Sequence, residues 1–213
     1  MRHILVGTGL LVILITIICI FWQEEFRYSL PTPIPEGYQA IPVSHPLEVQ
    51  TFLPNTQPGK ALHLLFFNPE CPCSRFTAPH VRSLKDRYQQ EVTFVVVLPV
   101  GTSPSVVSQY FGPSTDYLID DQEESIATRC GVYASPQAVL IDRKGLLYYR
   151  GNYNKARFCT QAPTSFAQLA LTSLLEKMPP PQFGPLATTP FGCQLPQYEQ
   201  GSSRYQGFSI SPI

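Results

Sequence analysis

Residues 61–74 read ALHLLFFNPECPCS, a short apolar run that ends in a turn and hands over to two cysteines flanking a proline. Ala61 to Phe67 has the near-continuous apolar character of a strand covered on both faces, and Asn68-Pro69 supplies the turn that ends it. A helix is predicted to follow from about Pro72 to Gln89. There Phe76, His80, Leu84 and Tyr88, with Val81 beside them, recur every three to four residues and Pro79 predicts a kink. Cys71 and Cys73 therefore stand where a buried strand meets a helix N-terminus, whose partial positive charge favours the thiolate. Cys71 is the expected nucleophile. The bland reading of the same pair is two small buried apolar residues.

Working outward, Val92 to Leu98 (VTFVVVL) reads as a second buried strand. Ser103-Pro104 reads as a helix start, with Val106, Val107, Tyr110 and Phe111 on its inner face. Tyr117 to Ile119 forms a short strand, and Asp121 and Glu124 stand at capping-box spacing before Ile126 and Ala127. Asp120, Asp121, Glu123 and Glu124 are read as helix-start acids rather than paired catalytic carboxylates. Gln137 to Ile141 and Leu146 to Arg150 flank the turn-rich Asp142-Arg143-Lys144-Gly145, which predicts a hairpin. Thr164 to Met178 is the last helix, stopped by Pro179, Pro180 and Pro181. This order of elements predicts an α/β fold, a mixed sheet with helices on both faces.

The ends of the chain have a different composition. Ile4 to Trp22 carries no charge and is long enough for one membrane span. No small-residue cleavage pattern follows it, so an uncleaved anchor is expected, with residues 1–3 cytoplasmic by the positive-inside rule and the rest outside. Cys19 is a small apolar residue in that span. Many of the chain's 22 prolines gather in residues 23–60, a stalk partly packed on the domain, and in residues 179–213, a Pro/Gly-rich tail that leans on the core or stays mobile. The folded domain is expected over 61–178. Fifteen basic residues balance fifteen acidic ones, which removes the electrostatic footprint of a nucleic-acid binder. No phosphate-binding loop, dinucleotide fingerprint or zinc-protease motif occurs, and no cofactor is expected.

With Pro79 eight residues after Cys71 and Gly131-Val132-Tyr133-Ala134-Ser135-Pro136 ahead of a strand, the chain resembles the thioredoxin-like superfamily over about 61–178. More narrowly it is similar to membrane-anchored, redoxin-like bacterial proteins that carry a C-P-C motif and a late Gly-Cys. The resemblance implies a thioredoxin-like sheet and a cis-proline at Pro136. It implies a thiol-disulfide oxidoreductase in which Cys71 attacks, Ser74 falls on the usual resolving position and Cys73 lies one place early. Pro72, Ser74 and Ser135 are then the substrate-binding residues, and thiols or disulfides of proteins or small molecules are the partners. Bacterial inner-membrane attachment with a periplasmic domain follows from the same resemblance. Leu65 takes the place of the family's buried acid, and Glu70 replaces the usual aromatic before the first cysteine.

The pairing of the five cysteines outside the span stays open. A Cys71–Cys73 disulfide, resolved by Cys73, would close a small ring and be comparatively oxidising. Cys159 and Cys193 are favoured as a structural bond pinning the tail; the sharper alternative is that one of them accepts the disulfide from Cys71 or Cys73. Cys130 reads as a buried thiol. Two rival functions remain: a metal site using Cys71, Cys73 and His80, as in copper assembly, and a redox-silent anchored binding module, which a buried Cys71 would support. His80 and His63 are otherwise core histidines.

Overall fold

The computed structural model describes residues 2–24, 30–49, 53, 59–113, 115–120, 125–155 and 162–199. Two units are distinguished, residues 1–31 and 32–213. The first is built on α1 (Arg2–Glu24), of which His3–Gln23 is long and apolar enough to cross a membrane. That character fits an anchor and a signal sequence alike.

In the second unit β1 (Ala61–Phe66) is buried at every residue, as its apolar run requires. It pairs in parallel with β2 (Val92–Leu98) and antiparallel with β5 (Gln137–Ile141). With β3 (Asp116–Ile119) and β6 (Leu147–Asn152), the sheet order is β3-β2-β1-β5-β6. α2 (Pro72–Tyr88) joins β1 to β2 and runs through Pro79 without ending, and α3 (Ser105–Phe111) joins β2 to β3. α4 (Ile126–Cys130) and the two-residue β4 (Ala134–Ser135) lead into β5. The chain is an α/β protein with a thioredoxin-like mixed sheet.

Period-two alternation divides β1 between two cores. Ala61, Leu65 and Phe67 face α2, α3 and α5 (Phe166–Leu175), packing with Ala78, Val81, Leu84, Val107, Phe111 and Leu171. Leu62, Leu64 and Phe66 face the other way, toward Ile126, Ala127 and Cys130 of α4. A five-residue helix is too short to cover that face, and the proline-rich ends complete it. Leu47, Val49 and Leu53 of the stalk and Leu195 of the tail are buried there. The stalk also bridges the sheet at Pro46–Leu146. Each large side chain so buried contributes about 1.5–3 kcal/mol, which favours fixing both ends on the domain.

Several boundaries differ from expectation. The last helix covers Phe166–Leu175, preceded by a 3-10 turn at Ala162–Thr164, so its ends fall short of Thr164 and Met178. Asp121 and Glu124, the expected capping box, lie outside the described residues. The cap of α4 is Ser125, whose hydroxyl accepts from the Thr128 amide. Asp120 assists, its carboxylate accepting from the Ile126 and Ala127 amides, so this buried acid serves the helix start. The tail beyond 178 is regular in part: α6 (Pro185–Thr188), β7 (Cys193–Gln194) and α7 (Pro196–Glu199).

Candidate active site

The strand-to-helix junction places Cys71 at the N-cap of α2 in an extended conformation, with Pro72 at the start of the helix, where its missing N–H is no loss. The Cys71 amide donates to the Asn68 carbonyl, and the Ser74 and Arg75 amides donate to the Cys71 carbonyl. Facing this turn is β4, whose Ser135–Pro136 peptide bond is cis. The Ser135 carbonyl oxygen lies 3.5 Å from the Cys71 sulfur.

β7 lies antiparallel on β4, with Ser135 opposite Cys193 and Ala134 opposite Gln194. This register brings Cys193 onto Cys71, and the two form a disulfide with Cα atoms 5.9 Å apart and a sequence separation of 122. Gly192 is required for the approach. Its φ is +129°, and a Cβ there would run into the Ser135 carbonyl oxygen.

Two expected pairings are corrected by this bond. Cys193 is joined to Cys71, where a structural Cys159–Cys193 bond was favoured; Cys159 itself lies outside the described residues. Cys71 is likewise not bonded to Cys73. Two residues further on, Cys73 sits in the first turn of α2 and is buried as a thiol, and positions i and i+2 of a helix do not face one another. The small-ring argument for an oxidising potential lapses with that pairing. What is present is a bond between Cys71 and a tail cysteine, the pairing that the relay alternative would use.

Ser74 and Ser135, both fully buried, tie the site together. The Ser135 hydroxyl donates to the Phe66 carbonyl and accepts from the Asn68 amide, so the Ser74 hydroxyl is the donor in the 2.5 Å bond between the two serines. They fix β1, α2 and β4 to one another through these buried hydroxyl bonds. Ser135→Ala should leave the Ser74 hydroxyl without its buried acceptor and the Asn68 amide with only its longer, 3.4 Å bond to Ser74, and lower stability by about 1–3 kcal/mol, read from the denaturant midpoint.

The remaining expected ligands have other partners. His80 bonds through Nε2 to Gln168 and through Nδ1 to the Tyr153 hydroxyl, while Cys71 is held in the disulfide. No group of three His, Cys, Asp or Glu side chains among the described residues is arranged to hold a metal. Burial pushes the Cys130 thiol up to about 12, the Asp120 charge adding to the effect and Arg150 opposing it, which keeps it protonated. Leu65 is buried in the core where the family's acid would stand, and Glu70 is exposed, its amide donating to Asn68. The participation of Cys193 was marked in sequence only by its glycine neighbour, the late Gly-Cys.

Residues 43–193 match the family described as a domain of unknown function, DUF6436, a span that contains both bonded cysteines. No curated protein matches the chain. Among solved structures, an uncharacterized conserved protein from Geobacillus kaustophilus is 21% identical with a TM-score of 0.58, the alignment covering 78% of this chain and 97% of that one. A hypothetical protein from Sinorhizobium meliloti 1021 is 21% identical with a TM-score of 0.53, covering 65% of this chain and 80% of that one. A secreted Mycobacterium tuberculosis disulfide oxidoreductase, homologous to E. coli DsbE, is 23% identical over 56% of this chain and 83% of that one. Its TM-score is 0.42, too low to bear on function.

Proposed function

The chain belongs to the DUF6436 family, and we propose that it is a thiol-disulfide oxidoreductase whose redox pair is Cys71 and Cys193. The observation that carries the reading is a disulfide formed at a helix N-terminus, against the β4 edge. The helix end stabilises a leaving thiolate, and the edge holds the partner sulfur in line. Thiols and disulfides of proteins or small molecules are the substrates. The span at α1 anchors the domain to a bacterial inner membrane, on its periplasmic side, where a disulfide persists.

Cys71 is fully buried, which a redox-silent binding module would also require. Here, however, the strand that covers Cys71 carries the cysteine bonded to it, so burial and redox pairing have one cause. A structural staple that never cycles is the second reading this burial favours.

Equilibrating the full-length chain in detergent micelles across glutathione buffers, alkylating and mapping each cysteine separates the two. Cys71 and Cys193 are expected to titrate together as one two-electron transition, absent in Cys71→Ser. If both stay oxidised until the protein unfolds, the bond is a staple and the oxidoreductase reading fails. Thiols protected by added copper instead would favour metal delivery through Cys71, Cys73 and His80.

A further inference from the structure

The two bonded cysteines are unequally exposed. Cys71 has 0% of its surface exposed, whereas Cys193 is half-buried. The covering strand is also fastened on both sides of the disulfide. Upstream, the Asn152 side-chain amide donates to the carbonyls of Leu186 and Thr189, and its oxygen accepts from the Phe191 amide. The Thr32 amide donates to the Pro190 carbonyl. Downstream, the Leu195 amide donates to the Tyr133 carbonyl, the Leu195 side chain is buried, and Gln197 donates to the Asp120 carboxylate. Lifting β7 to admit a substrate chain beside Cys71 means undoing all of these together. The β4 edge is thus already occupied, and of the bonded pair Cys193 is the more exposed residue.

We propose that Cys193 is the sulfur through which substrates enter, and that Cys71 is the buried cysteine that leaves and resolves, the reverse of the order the sequence suggests. This rests on the thiol-disulfide reading above. In the oxidising direction a substrate thiolate attacks the Cys193 sulfur, forming a substrate–Cys193 disulfide and expelling Cys71 as thiolate. Cys71 is the better leaving group of the pair because it sits at the N-terminus of the 17-residue α2. A second thiolate of the same dithiol then attacks the substrate's sulfur and expels Cys193 as thiolate. The substrate loses two electrons to become a disulfide, Cys71 and Cys193 gain them, and the two substrate protons pass through solvent to the protein thiolates. Run backward, Cys193 attacks a substrate disulfide and Cys71 resolves the adduct. The substrate class is an accessible dithiol or disulfide recognised at its sulfur, without a strand added to β4.

The test uses the oxidised full-length chain in detergent micelles, mixed with reduced glutathione, quenched in acid at short times and mapped by mass spectrometry. The first adduct is expected on Cys193. With oxidised glutathione, Cys71→Ser should accumulate a stable adduct at Cys193, while reduced Cys193→Ser should form one at Cys71 at least about tenfold more slowly, because β7 still covers it. Circular dichroism and thermal melting of both variants show whether each remains folded. Should Cys193→Ser unfold, the wild-type adduct map decides. A first adduct on Cys71 overturns the proposal while leaving the oxidoreductase reading intact; no exchange at either cysteine removes both.

Discussion

Reduction of the Cys71–Cys193 bond is expected to lower the stability of the domain by about 4–5 kcal/mol, the loop-closure entropy released when a ring of this size opens. The bond spans 122 residues and encloses all of the five-stranded sheet beyond β1. For a chain of this length that loss corresponds to a fall in melting temperature of roughly 10–18 °C. Cys71→Ser and Cys193→Ser should each show it under non-reducing conditions. The double variant should fall no further than either single one, because both remove the same bond. The tail also buries Ala187 and Leu195 and bonds to Asn152, so the folded state keeps it in place after reduction and the loss reflects the freedom gained by the unfolded chain. A shift below about 3 °C would show that packing alone holds the tail and that closing the ring adds little.

Acidification from pH 6.5 to 4 is expected to remove about 3 kcal/mol through His63 alone. This imidazole is fully buried in β1, stacked on Phe94 with ring centroids 4.9 Å apart, and neither ring nitrogen finds a well-formed hydrogen bond. Burial holds its pKa down at about 4, with a contact to its own backbone working more weakly the other way and the nearby His80 reinforcing the shift. In the unfolded chain the same group titrates near 6.5. Between those values the unfolded state binds a proton that the folded state refuses, so the contribution is fully present above pH 6.5 and is lost as pH falls toward 4. Asp120 acts in the opposite sense: its carboxyl is raised by burial, so the folded state takes up a proton more readily than the unfolded one. The comparison is therefore between wild type and His63→Leu, by urea unfolding at several pH values. The variant should lose less stability on acidification, the two curves converging toward neutral pH apart from a constant offset. Parallel curves would mean that His63 ionises in place.

How much of this was legible beforehand depended on whether the cause was local. The run at 61–67, six apolar residues and His63, reads as a covered strand, and the turn at Asn68-Pro69 with Pro72 behind it marks a helix start near Cys71. The resemblance to the thioredoxin-like superfamily, matched at Gly131 to Pro136, implied the cis-proline, which the structure contains. β2 was read to the residue because VTFVVVL carries its own boundaries. The buried hydroxyl bonds of Ser74 and Ser135 were not legible, since a serine's partner depends on which groups the fold brings within reach.

The partner of Cys71 was decided at the tertiary level. By itself the sequence determined the sheet, the helix presenting Cys71 and the apolar segment at α1, because each follows from patterns within a few consecutive residues. It left Cys193 with Cys159 as the favoured partner and Cys71 or Cys73 as the alternatives. Among the described residues one sheet face carries the short α4 as its helical cover, so hydrophobic burial draws in Leu47, Val49 and Leu195 from the proline-rich ends. Seating Leu195 there lays Gly192 and Cys193 along β4, where the left-handed glycine lets the backbone close on Ser135 and the two sulfurs meet. A contact across 122 residues follows from what remains to be buried once the sheet exists, and no local pattern encodes that remainder.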